Sequence, residues 1–72
     1  MKSECLWYVR TDGRDWRIAR AQALESLTDE QAVQRLEVHC ENIGERLICA
    51  CRTDDRREAL RVLFAALLRW RQ

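Results

Sequence analysis

The chain has 72 residues, with 13 lysines and arginines against 12 aspartates and glutamates, for a formal net charge of +1. A chain of this length is expected to form a single domain, residues 1–72, whose small core often depends on a metal, a disulfide or a partner. The near-neutral charge provides no overall attraction to nucleic acid or to a membrane surface.

Two short apolar segments bear on the compartment. The N-terminal run from Leu6 to Val9 is too short for a signal peptide, and the run from Ala59 to Leu68 is too short to cross a bilayer. We therefore predict a cytoplasmic protein without membrane association. In that compartment the four cysteines are expected to be free thiols and not a disulfide framework.

The charges are distributed unevenly along the chain. Residues 25–45 contain one arginine and six carboxylates, whereas residues 46–72 contain seven arginines and three carboxylates. Arginine makes bidentate contacts with carboxylates and is enriched in binding hot spots. The basic segment is suited to an acidic partner surface and the acidic segment to a basic one, although codon usage in a GC-rich genome explains the arginines equally well.

The first predicted element is a hairpin. The segment from Glu4 to Thr11 is rich in strand formers and runs into Asp12-Gly13, a strong hairpin signal. A two-residue turn at this position places Val9 opposite Trp16. One face of the hairpin then carries an apolar cluster that should pack on a helix. Its members are Trp7, Val9, Trp16 and Ile18.

Residues 15–26 allow a second interpretation. A helix could begin near Asp15, because the alanines and leucine between Ala19 and Leu24 are good helix formers. We favour the hairpin. The helical alternative would reduce the sheet from four strands to three and leave the fold class α+β.

A short helix is predicted next. Thr28 followed three residues later by Gln31 is a capping-box signature, and the acidic residues after Thr28 suit a helix N-terminus. The helix is expected to run from Asp29 to about Leu36. It is too short to persist alone and must dock on the sheet.

A second hairpin is predicted from Leu36 to Arg52, with its turn at Ile43-Gly44. A two-residue loop places Cys40 opposite Leu47, and one apolar face results. The apolar residues of that face are Leu36, Val38, Cys40, Leu47, Cys49 and Cys51. The agreement between the turn position and the alternating pattern supports this prediction.

The last predicted element is a long helix from Asp54 to Arg71, capped by Thr53. Its apolar residues span an arc of roughly 240° at about 100° per residue, which is more than one small sheet covers. The whole chain is therefore predicted to be an α+β domain in the order ββαββα. Its four-stranded antiparallel sheet carries the short helix and the long C-terminal helix on one face.

No catalytic or metal site is predicted. Cys49 and Cys51 are separated by one residue on a straight strand, which holds their sulfurs about 6.5–7 Å apart, and the adjacent residues His39 and Cys40 point to opposite faces. The cysteines are therefore expected to be core thiols. The chain has one histidine, two glycines and no phosphate-binding loop, so we expect a non-enzyme that needs no cofactor.

Nucleic-acid binding is an alternative function. Basic residues interleaved with aromatic residues on a sheet suit phosphate contact and base stacking, and the N-terminal hairpin has this composition. The residues that would carry it are Arg10, Arg14, Arg17 and Tyr8. Acidic residues in the same hairpin and the near-zero net charge argue against it.

Protein binding is the function that we favour, because the long helix is apolar on more sides than its own domain covers. The sheet is expected to take the line of Leu60, Leu63, Leu67 and Trp70, and the flanks of the helix are left for a partner. The predicted partner-binding residues are Arg61, Phe64, Leu68, Arg69, Val62 and Ala66. A homodimer through this helix is a further alternative. By analogy of size and character, the chain resembles small regulators or inhibitors that phages and mobile elements direct at large host machines.

Overall fold

The computed structural model describes residues 4–70. Three strands and two helices follow one another along the chain, with a 3-10 turn at Gln22–Leu24 before the first helix. The bounds of the elements are β1 Leu6–Thr11, β2 Trp16–Arg20, α1 Asp29–Asn42, β3 Arg46–Arg52 and α2 Arg56–Trp70. The α+β class is confirmed.

The sheet has three antiparallel strands in the order β2-β1-β3. The predicted fourth strand is wrong, because residues 36–41 are helical and β3 pairs with β1 instead of with them. The N-terminal hairpin exists as predicted, and no helix begins near Asp15. β1 is therefore the central strand and the whole sheet is built around it.

The loop of the β1–β2 hairpin is longer than predicted. Thr11 pairs with Trp16, so residues 12–15 form the loop. The Asp12 Oδ1 atom accepts the amides of Arg14 and Asp15 at 2.8 and 2.9 Å, which holds the wider turn. The strand register is shifted by two residues from the one that a two-residue turn would give. Because side chains alternate with a period of two, each residue keeps its predicted face.

The helix α1 extends six residues beyond the predicted end at Leu36. Its capping box is confirmed: Thr28 Oγ1 accepts the Gln31 amide and Gln31 Oε1 accepts the Thr28 amide, each at 3.3 Å. Leu36 and Cys40, four residues apart, are both buried, whereas Val38 between them is 55% exposed. The helical period therefore decides burial here, and the alternating pattern that suggested a strand is wrong.

Gly44 ends α1 instead of turning a hairpin. Its φ is +74°, a conformation that glycine adopts at little cost. The Glu45 amide donates to the Cys40 carbonyl at 2.8 Å and the Gly44 amide to the Glu41 carbonyl at 3.1 Å. These two bonds form a Schellman motif, the common C-terminal cap of a helix.

The two helices lie on opposite faces of the sheet, so the predicted arrangement on one face is wrong. On one face, Leu6 and Tyr8 of β1 form the core with the buried residues of α1, which are Ala32, Leu36 and Cys40. On the other face, Trp7 of β1 lies beside Leu60 of α2. Consecutive residues of a strand point to opposite faces, and the result is three layers with the sheet in the middle.

The N-terminus of α2 is two residues later than predicted, and its predicted end, Arg71, lies outside the described residues. The Asp55 carboxylate accepts the Arg57 amide at 2.9 Å, and the Thr53 hydroxyl accepts the Asp55 amide at 3.1 Å. Asp55 therefore satisfies a free amide of the first helical turn. Thr53 was the predicted cap, but its hydroxyl holds the backbone of Asp55, and Asp55 caps the helix.

Two charged side chains hold the segment that connects β2 to α1. Arg52 donates to the carbonyls of Glu25 and Leu27 at 3.0 and 2.5 Å and pairs with Asp29. The carboxylate of Glu25 accepts the Leu6 amide at 2.8 Å. These bonds fix the connection against the ends of β1 and β3, which places the start of α1.

Candidate partner-binding surface

The large apolar residues left exposed are concentrated on α2. Of the seven such residues among the described part of the chain, four belong to this helix. These four are Val62, Phe64, Leu68 and Trp70. Scattered exposed apolar residues are ordinary on a small protein, but several on one element mark an association surface.

The side of α2 that faces the sheet is shorter than predicted. Leu63 is buried, while Leu60 and Leu67 on either side of it are half-buried. Trp70 packs edge-on against Trp16 of β2, with ring centroids 5.1 Å apart and an angle of 73° between the planes. Trp70 nevertheless stays about half exposed, because it lies at the end of the helix.

One flank of α2 lies beside β2. Leu60 lines a groove of about 250 Å³ together with Trp7 and Ile18. Phe64 and Leu68 follow Leu60 at four-residue intervals, so they continue the same side of the helix. They are 55% and 61% exposed. We call the surface formed by Trp16, Ile18, Leu60, Phe64 and Leu68 the α2–β2 surface. Trp70, about 200° around the helix from Leu68, lies at its edge against Trp16.

The opposite flank of α2 is smaller and less exposed. Val62 and Phe64 are about 200° apart on a helix, so they lie on different sides. Val62 is 44% exposed and Ala66 is half-buried. The predicted partner-binding residues therefore lie on two separate flanks of α2, and a single contact surface takes one set or the other.

Each flank has its own arginine. Arg61 lies seven residues, about two turns, before Leu68 and shares its side of the helix. Arg69 lies seven residues after Val62 and shares the side of Val62. Within residues 4–70, none of the α2 arginines forms an ion pair. Their charges are therefore available at the rim of either flank.

The two helices carry opposite charge. α1 has four carboxylates and one arginine, a formal charge of −3, and α2 has four arginines and one glutamate, a formal charge of +3. Because the helices lie on opposite faces, one side of the domain is acidic and the other basic. The basic side is the one that bears the α2–β2 surface.

Sequence reasoning missed the contribution of β2 to this surface. Trp16 and Ile18 were expected in a covered core, yet Trp16 is half-buried and Ile18 is exposed. With one helix on each face instead of two on one face, α2 alone has to cover three strands, and β2 at the edge of the sheet is left partly open. The sequence did contain a signal for a sheet covered on both faces. Residues 6–9 of β1 form a continuous apolar run, which is typical of a strand that is buried on both faces.

The residues of the nucleic-acid alternative do not lie on one exposed surface. Tyr8 is 6% exposed and belongs to the core under α1. Arg10 pairs with Glu45 at 3.4 Å, while Arg14 and Arg17 are exposed. A buried tyrosine is not available for base stacking, so the basic and aromatic parts of this interface are separated.

The cysteines are placed differently from the prediction. Cys40 is buried on the sheet-facing side of α1, and Cys49 and Cys51 lie opposite Val9 and Trp7 in the sheet. Burial raises the pKa of each of these three thiols, which disfavours the reactive thiolate. Across residues 4–70, no three histidine, cysteine, aspartate or glutamate side chains are grouped so as to hold a metal ion.

No protein-family model, curated protein sequence or solved structure matches the chain. No helix within the described residues is both long enough and apolar enough to span a membrane. The function is therefore argued from the surface of the domain itself.

Proposed function

We propose that the protein is a small non-enzymatic regulator or inhibitor that binds stoichiometrically to a larger macromolecular assembly through the α2–β2 surface. The observation that carries the proposal is the exposure of Phe64 and Leu68, more than half in each case, on the side of α2 that begins with Leu60 beside Ile18. Two large apolar side chains exposed one turn apart favour a partner that covers them.

The energetics favour association at this position. Fully burying one large apolar side chain contributes about 1.5–3 kcal/mol. Because Phe64 and Leu68 are 55% and 61% exposed, covering both contributes about 2–3 kcal/mol, one part of the roughly 8 kcal/mol of a micromolar affinity. Tryptophan and arginine are the residue types most enriched in binding hot spots. Trp16, Trp70 and Arg61 provide these types in and around the α2–β2 surface.

The charge of α2 indicates the character of the partner. Arg57 and Arg61 precede Phe64 and Leu68 at helical spacing on the same side, so the apolar surface has a basic rim. A partner with an apolar patch bordered by carboxylates would complement it, and long-range attraction would raise the association rate at low salt.

The direct test is affinity capture with tagged variants from a lysate of the source cell, followed by binding measurements with the purified partner. Phe64→Asp places a charge in the α2–β2 surface and is expected to weaken binding at least a hundredfold. Val62→Asp makes the same chemical change on the opposite flank of the same helix and is the matched control, expected to bind within about threefold of wild type.

Thermal unfolding of both variants separates loss of binding from loss of folding. The proposal is contradicted if Val62→Asp loses the partner and Phe64→Asp keeps it, since the other flank would then be the interface. It is also contradicted if both folded variants bind like wild type. Light scattering over a range of concentrations identifies self-association through α2, which would replace a foreign partner by a second copy.

A further inference from the structure

A groove lies on the α1 face of the domain, away from the α2–β2 surface. It has a volume of about 530 Å³ and is bounded by the 3-10 turn on one side and by α1 on the other. Its apolar lining includes Leu24 of the turn and Leu36 and Val38 of α1. A volume of this size is within the range of small-molecule sites, about 300–1,000 Å³.

A largely buried tyrosine lines the same groove. Tyr8 is 94% buried, by its 6% exposure, and its ring belongs to the core. Within residues 4–70 its hydroxyl has no hydrogen-bond partner. The hydroxyl is not one of the fully buried polar atoms that lack a partner, so it is accessible to solvent. Because Tyr8 lines this groove, a ligand that binds here replaces water as the partner of the hydroxyl.

Basic residues line the rim of the groove, and Arg35 supplies a permanent positive charge there. Arg35 and His39 are one turn apart on the exposed side of α1 that borders it, and neither forms an ion pair among the described residues. The third basic residue of the lining, Arg20, is already held by the carboxylate of Glu25 at 2.9 and 3.0 Å. No carboxylate of α1 is among the lining residues of this groove. Glu37 and Glu41 line a different cleft, next to β3.

We propose that this groove binds a small amphipathic carboxylate. The apolar part of the ligand lies on Leu24, Leu36 and Val38, and the carboxylate accepts hydrogen bonds from the Tyr8 hydroxyl and the Arg35 guanidinium. A charge-assisted hydrogen bond of this kind is stronger than a neutral one. The site is on the opposite face from the α2–β2 surface and does not depend on the function proposed for that surface.

The test uses the full chain and decanoate, kept below its micelle concentration, as the probe. Titration followed by amide chemical shifts is expected to show saturable binding, with shifts concentrated in residues 20–24 and 35–42. The neutral analogue 1-decanol has the same chain without the charge, and we expect it to bind at least tenfold more weakly.

Two variants identify the polar contacts. Tyr8→Phe removes only the hydroxyl and keeps the ring in the core, and Arg35→Gln removes the charge from an exposed position. Each is expected to weaken decanoate binding about tenfold, the typical effect of one hydrogen bond to a charged group, while 1-decanol binding stays unchanged. The control Arg46→Gln removes an exposed arginine outside the groove and is expected to leave both affinities unchanged.

Three results would overturn the proposal. The first is the absence of saturable decanoate binding. The second is equal affinity for decanoate and 1-decanol, which would show that the carboxylate is not recognised. The third is a set of shifts confined to α2 and β2, which would show that the alkyl chain binds the exposed apolar surface on the other face instead.

Discussion

Glu25 joins three parts of the chain with one carboxylate. Its Oε2 atom accepts the amide of Leu6 at 2.8 Å and the Nε of Arg20 at 2.9 Å, and its Oε1 atom accepts a second bond from Arg20 at 3.0 Å. The hydrogen bonds from Arg20, followed by the amide of Leu6, hold the pKa of Glu25 below its ordinary value of 4.5. The charged carboxylate therefore stabilises the fold more than the neutral acid does.

The pH dependence of stability should reveal this role. Because the pKa is lower in the folded state, the contribution of Glu25 is complete above about pH 4.5 and is lost as the pH falls through the folded pKa. We expect Glu25→Gln to be less stable than wild type at pH 7 and the difference to shrink between pH 4.5 and pH 2. Urea unfolding at each pH measures it.

Glu37→Gln is the matched control, because Glu37 is exposed on α1 and has no hydrogen bond within residues 4–70. Its unfolding free energy should follow that of wild type over the whole range. A difference between Glu25→Gln and wild type that stays constant from pH 7 to pH 2 would show that the charge of Glu25 is not what stabilises the fold.

At the scale of elements, α1 shows where local pattern misleads. Leu36, Val38 and Cys40 alternate like the residues of a strand, and Gly44 suits a hairpin turn as well as it suits a helix cap. The buried pair Leu36 and Cys40 fits both periods, and only the exposed Val38 distinguishes them. The exposure of Val38 depends on which strand pairs with β1. That pairing joins distant parts of the chain and cannot be recognised from a short stretch of sequence.

The substitution Val38→Ala tests the helix directly. In a helix, an exposed valine replaced by alanine gains helix propensity, so the unfolding free energy should stay equal or rise by about 0.5 kcal/mol. On the buried face of a hairpin the same change would cost about 1–2 kcal/mol in lost apolar burial. Urea unfolding at neutral pH distinguishes these results.

Val33→Ala supplies the comparison, since Val33 is on the same helix and half-buried. It should lose stability by about 1 kcal/mol, because burial there outweighs the gain in propensity. Destabilisation by Val38→Ala as large as that by Val33→Ala would contradict the helical assignment of residues 36–42.

The elements that sequence predicted well are those with strong local signals. The β1–β2 hairpin, the capping box at Thr28 and the helical period of α2 each depend on residues within a few positions of one another. The length of the hairpin loop was missed because it depends on the bonds that the Asp12 side chain makes to the loop amides.

At the scale of the whole molecule, the arrangement of helices decides which apolar residues are exposed. Tyr8 and Val9 are adjacent in β1 and both buried, one under each helix layer. A sheet covered on two faces needs two amphipathic helices, and each covers less than the whole sheet. This is why β2 contributes Trp16 and Ile18 to an open surface, a result that sequence reasoning could not reach once both helices were assigned to one face.

The charge of the molecule follows the same division. The acidic and basic segments that are visible in the sequence become opposite faces, with α1 at −3 and α2 at +3. The apolar flank of α2 was predicted from its wide arc, but the choice between the Phe64 flank and the Val62 flank needed the position of β2. The candidate site was therefore predicted at the level of the helix, and the fold favours one flank for it.

The most direct measurement of the central claim is hydroxyl-radical footprinting of the protein alone and in its captured complex. This method reports side-chain exposure residue by residue. We expect oxidation of Phe64 and Leu68 to fall severalfold in the complex, while Val62 and Val38 react at the same rate in both states. Unchanged oxidation of Phe64 and Leu68, with protection of Val62 or Val38 instead, would contradict the account.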